Sequence, residues 1–203
     1  MALITPKSKI FILTIFLMCL ANEVWAVRAK IRFLFPISMQ SVTDGFENSK
    51  INTSELVLSF VIPVSRKTQL DFGYSYFNAR IEDADTSSEA YSGVFRAHML
   101  EIGAGYTGIE LTRTISMLIE ASTRFPVSGQ AEVNGTPGSS EAESISGMGY
   151  FLGSGIAYGN IDLLLFYQQR DLTFDELTVL RDGVSKDVAL HSKEYGISIG
   201  YTF

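Results

Sequence analysis

Few side chains here can do acid–base, nucleophilic or thiolate chemistry: 203 residues contain two histidines and one cysteine. The one local cluster is His191-Ser192-Lys193-Glu194. A serine nucleophile needs an imidazole within hydrogen-bond reach. In a strand, successive side chains point to opposite faces, so His191 and Ser192 cannot share a proton. His98 has Arg96 and Leu100 beside it on its own face, and no serine. Two imidazoles without a thiolate make no spaced ligand set, so neither a metal nor a cofactor is expected. The expectation is a protein that is not an enzyme.

The remaining chemistry is that of ion pairs. Lys30, Arg32, Asp71, Glu101, Glu120, Arg124, Asp162, Arg170 and Glu194 all sit in stretches that alternate apolar with polar. From Ala29 the odd positions read Ala29, Ile31, Phe33, Phe35, Ile37, Met39, against Lys30, Arg32, Leu34, Pro36, Ser38, Gln40. Period two is the signature of a strand with unlike faces. It returns in Leu70, Phe72, Tyr74, Tyr76, in Ile115, Met117, Ile119, Ala121, and in Met148, Tyr150, Leu152. Strands are expected near 28–40, 55–63, 68–81, 94–106, 112–126, 145–158, 161–172 and 187–203. Connections alternate between short turns and long polar segments at 41–54, 82–93, 127–144 and 173–186. That alternation suits a membrane barrel, with tight turns on the periplasmic side and long loops outside.

The fold class expected is all-β: an antiparallel up-and-down transmembrane β-barrel of about eight strands. A membrane-spanning sheet has to close, because lipid satisfies no backbone group. Its apolar face meets lipid and its charged face fills a lumen just wide enough for side chains. Arg32, Asp71, Glu101, Glu120, Arg124, Arg170 and Glu194 are therefore expected to form one interior charge network. A plug of paired charges is the expectation, and a gated narrow pore the alternative.

The N-terminus reads as an export leader. Lys7 and Lys9 precede an apolar run, Ile10 to Ala21, interrupted by Thr14, and Val24-Trp25-Ala26 offers a cleavage site. Residues 1–26 are expected to be removed, Cys19 with them, leaving a barrel domain of 27–203 without cysteine. Ala21 is a second possible cut. The net charge of −6 becomes about −7 once Lys7, Lys9 and Glu23 are lost. A chain this acidic is a poor match for nucleic-acid phosphates.

The last strand, Glu194 to Phe203, is the most specific segment. Tyr195, Ile197, Ile199, Tyr201 and Phe203 share one face, and the chain ends on an aromatic residue. Gly196, Ile199, Tyr201 and Phe203 match the C-terminal targeting signal of outer-membrane barrels. On these residues the chain resembles the small eight-stranded Gram-negative barrels grouped around outer membrane proteins A, X and W. The resemblance implies an outer-membrane location, periplasmic chaperones and insertion by the outer-membrane assembly machinery. It implies no single activity, since such barrels include adhesins, structural anchors, small-solute channels of porin-like character and lipid A enzymes. A non-enzymatic structural or surface-interaction role is expected. The alternatives are an adhesin acting through the 127–144 loop, a narrow solute channel, and a lipid A-modifying enzyme.

Partners follow from the outer face: outer-membrane lipids and lipopolysaccharide. Ten residues back from Phe203, about 34 Å along the strand, stands Lys193. Arg80, Arg96 and His98 fall at comparable heights on the third and fourth strands. Together they are expected to form a cationic rim for lipopolysaccharide phosphates.

Overall fold

A computed structural model describes residues 27–43, 50–82, 92–133, 144–179 and 184–203. The expected leader, with its cleavage site and Cys19, lies outside these residues. Eight strands follow one another: β1 (Arg28–Thr43), β2 (Lys50–Pro63), β3 (Thr68–Glu82), β4 (Ser92–Glu110), β5 (Ile115–Val133), β6 (Ile145–Tyr158), β7 (Ile161–Val179) and β8 (Val184–Thr202). Every neighbouring pair is antiparallel, and β8 pairs with β1, so the sheet closes into an up-and-down barrel. Phe203 N–H donates to Ala29 O at 2.8 Å, which completes the seam.

The turns at one end are tight. The β6–β7 turn is Gly159-Asn160, and Gly159 takes φ 58°, a left-handed conformation that glycine adopts without steric cost. In the β2–β3 turn the Ser65 hydroxyl oxygen accepts from Lys67 N–H and Thr68 N–H at 3.1 and 3.0 Å. Thr112 does the same work in the β4–β5 turn, accepting from Thr114 and Ile115 N–H.

At the other end the strands run further than alternation predicts. β5 continues to Val133 and β7 to Val179, into segments expected to be loop. Alternation does not stop there; it inverts. Along β7, Leu163 and Leu165 face outward while Asp162, Gln168 and Arg170 are buried; higher up Leu172 and Phe174 are buried and Asp171 and Thr173 lie outside. Lipid outside demands apolar-out and polar-in. Water outside demands the reverse. A strand leaving the membrane therefore changes its apolar face while keeping its ladder.

The cross-section changes at the same level. The β1–β2 ladder runs from Arg28–Val61 to Leu34–Glu55, and the β5–β6 ladder ends at Arg124–Gly149. The other six ladders continue. Above that level β2–β5 and β6–β1 stand as two four-stranded sheets. Phe77, Ala79, Phe95, Ala97, Met99 and Ala131 of one sheet pack on Leu172, Phe174, Val188 and Leu190 of the other. Phe95 and Phe174 meet edge to face, with centroids 5.3 Å apart. The protein is a closed barrel below and an apolar-cored sandwich above.

The outer face of the closed part is an apolar belt. Phe33, Phe35, Leu58, Phe60, Leu100, Ile102, Leu163 and Leu165 are all exposed. Tyr106, Tyr158, Tyr201 and Phe203 border it at the turn end; Tyr74, Tyr150, Tyr167 and Tyr195 border it at the other. From Tyr195 to Phe203 the strand rises about 27 Å, which at ~40° tilt is about 20 Å of height. No helix among the described residues is long and apolar enough to cross a membrane, which says nothing about a barrel.

Candidate functional site: an ion-paired lumen and two outer patches

The inward positions of all eight strands converge on a narrow lumen, and charge fills it. Asp162 binds Lys30 at 2.6 Å, and Lys30 also binds Glu120. Glu120 binds Arg32 at 2.6 Å, and Arg32 reaches Glu101 at 3.4 Å. Glu101 binds Arg124 Nε at 2.6 Å, and Arg124 Nη1 binds Glu55 at 2.8 Å. Glu55 and Glu194 both bind Arg170. The result is an unbroken alternation of acid and base from Asp162 to Glu194, each step joining two different strands. Gln168 braces it, donating to Glu55 at 3.1 Å and accepting from Arg124.

Aromatic rings stack between the charged layers. The Arg32 and Arg124 guanidiniums lie 4.9 and 5.2 Å from the Phe151 centroid, and Arg170 lies 4.1 Å from Phe77. Leu34, Val57, Leu118, Leu164 and Phe166 pack around Phe151. Gly149 lies against two of the arginines: a Cβ there would make ordinary contact with Arg170 Cγ at 3.5 Å and Arg124 Cβ at 3.6 Å. Arg124 is 0% exposed, and Arg32 and Arg170 are each 1% exposed, so the guanidiniums are enclosed by protein. Chemically the arrangement is a buried network of paired charges.

Six of the seven residues expected to form the network do so: Arg32, Glu101, Glu120, Arg124, Arg170 and Glu194. Asp71 is buried in the same layer, but its hydrogen bond is from Gln69 at 3.4 Å. Glu55 and Gln168 belong to the network and were not anticipated. Glu55 sits at the expected start of its strand, on an inward row that continues through Val57, Ser59 and Val61 with no further charge. A parity count through Val57 and Ser59 would have found it.

The C-terminal residues are split between faces. Gly196 points inward, where a Cβ would lie 2.2 Å from Phe35 O, so the strand can approach β1 only with glycine there. Ile199, Tyr201 and Phe203 face outward, and the Tyr201 and Phe203 rings meet edge to face at 4.9 Å.

The cationic rim resolves into two patches rather than one. Arg80, on β3, and Arg96 and His98, on β4, lie on adjacent strands, with Asn78 opposite Arg96 and Tyr76 opposite His98. The His98 ring packs between Tyr74 and Tyr76 at 5.7 and 5.2 Å, and Tyr74 hydroxyl bonds its Nδ1. Lys193 is on β8, separated from β3 by β1 and β2. It cannot join that patch, because closure sets β8 beside β1. Its neighbours are Gln169 opposite and the pair His191–Asp171, at 2.9 Å. The His191 hydrogen bond holds the Asp171 carboxyl below the usual carboxylate range; this pair stands above the tyrosine belt, clear of the lipid.

The structure also separates the groups of the one sequence cluster that tempts a catalytic reading. His191 faces outward while Ser192 and Glu194 are buried in the lumen. No group of three potential metal ligands occurs among the described residues.

No family profile matches the chain and no curated protein is similar to it in sequence. Solved structures are similar to it in architecture. Neisserial surface protein A matches with a TM-score of 0.46 at 14% identity, over 87% of this chain and 96% of that one. Ail, the attachment invasion locus protein of Yersinia pestis, matches with 0.42 at 15%, over 87% and 97%. Ail in complex with the heparin analogue sucrose octasulfate matches with 0.40 at 14%, over 87% and 99%. Likeness at this level carries no inference about ligand or role.

Proposed function

We infer that this protein is an integral outer-membrane barrel that does not conduct, is not an enzyme, and acts as a structural element presenting surfaces. The observation that carries this reading is the double reversal of polarity. An apolar belt bounded by tyrosines surrounds a lumen filled by one continuous chain of ion pairs. Above it the apolar face turns inward and a soluble sandwich projects. A soluble protein has no use for such a belt, and a channel has no use for such a plug. The order Gly196, Ile199, Tyr201, Phe203 supports delivery by periplasmic chaperones and the outer-membrane assembly machinery. Cell fractionation with gel electrophoresis of unboiled samples tests the location. The expected protein is found with outer membranes and migrates differently before and after boiling. Recovery in the soluble periplasmic fraction would overturn the reading.

A second activity is favoured by the β3–β4 patch. Arg80 and Arg96 stand just above the Tyr74–Tyr76–His98 cluster, at the height where outer-leaflet headgroups lie, and suit lipopolysaccharide phosphates. The adhesin reading draws on residues 127–144, of which 134–143 lie outside the described residues; 127–133 are strand.

A further inference from the structure

The turn end of the barrel holds a cup that none of the functions above uses. Its volume is about 640 Å³. Inward rows from the strands form its wall, among them Gln69, Thr107, Ser116, Asp162 and Thr202. Asp162 of its lining is held by Lys30, which with Glu120 and Arg32 forms the buried ion layer beyond, so the cup is a dead end rather than a pore mouth.

Charge distinguishes this cup from the rest of the molecule. Arg28, Arg66, Lys67 and Arg113 line it. The one carboxylate in the lining, Asp162, is already held by Lys30 at 2.6 Å. Glu110 lies on the β4–β5 hairpin that also carries Arg113, but it is not in the wall. The chain as a whole carries −6, yet this end concentrates four cations around one cavity. Like charges so placed repel one another, which costs stability unless an anion is bound.

The cations come from separate elements and are positioned by backbone. Arg28 is on the inward row of β1, two residues below Lys30. Arg66 and Lys67 are in the β2–β3 turn, which Ser65 braces and which Thr107 N–H ties to β4 by a 2.7 Å bond to Lys67 O. Lys67 Nζ also reaches Gly108 O at 3.4 Å. Arg113 is in the β4–β5 turn. The Ser65 oxygen accepts two N–H groups, so its own hydroxyl proton is available to a ligand in the cup. Guanidiniums that can converge on one space, with hydroxyl donors beside them, are the chemistry that holds phosphate.

We propose that this cup is a binding site for a phosphate-bearing anion, taken from the periplasmic side. The site stands on the fold; only its periplasmic address rests on the proposed function. Two sources offer this chemistry: the phosphate of an inner-leaflet lipid headgroup, and a soluble phosphate compound.

The test uses the protein purified from membranes into zwitterionic micelles, titrated with inorganic pyrophosphate by calorimetry at ionic strength fixed with KCl. The expected result is saturable binding of one pyrophosphate. Arg66→Gln with Arg113→Gln weakens it tenfold or more. Lys193→Gln, at the opposite end and outside the β3–β4 patch, leaves it unchanged. If the first double variant does not fold, as read from its gel shift on boiling, Arg28→Gln replaces it with the same expectation. A parallel titration compares nanodiscs of phosphatidylglycerol and phosphatidylcholine. Weaker pyrophosphate binding in phosphatidylglycerol identifies the lipid headgroup as the occupant, and equal binding identifies a soluble phosphate. The proposal is overturned if millimolar pyrophosphate gives no saturable binding. It is equally overturned if the cup variants bind as wild type does, or if the Lys193 variant loses as much as they do.

Discussion

Replacing Arg124 by Met removes the centre of the lumen network while keeping much of its volume. Arg124 is 0% exposed and bonds Glu101 at 2.6 Å and Glu55 at 2.8 Å. Without it Glu101 keeps only Arg32 at 3.4 Å, and Glu55 keeps only Arg170 among cations. The network residues and Asp71 already set six carboxylates against Lys30, Arg32, Arg124 and Arg170. Losing one cation widens that imbalance where no solvent can offset it. Breaking one partner out of a buried pair costs about 3–5 kcal/mol. The loss of the guanidinium face on Phe151 adds roughly 1 kcal/mol. The expected effect is a fall of that size in unfolding free energy, read by urea titration in micelles. Residues 27–203 contain no tryptophan, so circular dichroism and gel mobility are the probes. A second variant, Arg124→Met with Glu101→Gln, removes the carboxylate left behind and recovers part of the loss. If Arg124→Met leaves the urea midpoint unchanged, these side chains sit in bulk water and the plug does not exist. If the second substitution only adds to the damage, the cost is one of packing rather than of uncompensated charge.

Deleting Phe203 lowers outer-membrane levels in cells more than it lowers refolding yield in detergent, because the terminal aromatic serves insertion beyond closing the seam; equal membrane levels would refute this. Phe174→Ala costs about 3–5 kcal/mol from loss of the edge-to-face contact with Phe95 and the void left between the two upper sheets, measured by thermal or urea unfolding; an unchanged midpoint would mean the upper sheets do not pack. Lipopolysaccharide added to the folded protein stabilises wild type and Lys193→Ala alike, but not Arg80→Ala with Arg96→Ala, since Lys193 lies on the far side of the barrel; equal stabilisation of all three would remove the β3–β4 patch as a phosphate site.

Much of the closed barrel was legible because lipid imposes alternation on every strand. Ile31, Phe33 and Phe35 could only be outside if Lys30 and Arg32 were inside, and the same parity placed Glu101, Glu120 and Arg170. Glu55 escaped because its face is shared with valines, so the inward row did not read as polar. The upper strands escaped for a different reason. Beyond Arg170 the apolar parity passes from Leu163 and Leu165 to Leu172 and Phe174, and a rule that expects one apolar face per strand stops there. The division into two sheets has no local signal at all, since it depends on which ladders end, at Leu34–Glu55 and Arg124–Gly149. The position of Lys193 was recoverable in principle, because a closed up-and-down order puts the last strand beside the first.

The most direct test of the plugged barrel is current through single molecules in a planar bilayer. The protein purified from membranes and inserted as a heat-shifting species should give no steady steps of current at any voltage tried, while Arg124→Ala with Glu55→Ala opens small conductances by removing two buried side chains from the charged lumen. Regular ohmic steps from the wild-type protein, present at low voltage and unchanged by those substitutions, would contradict the account.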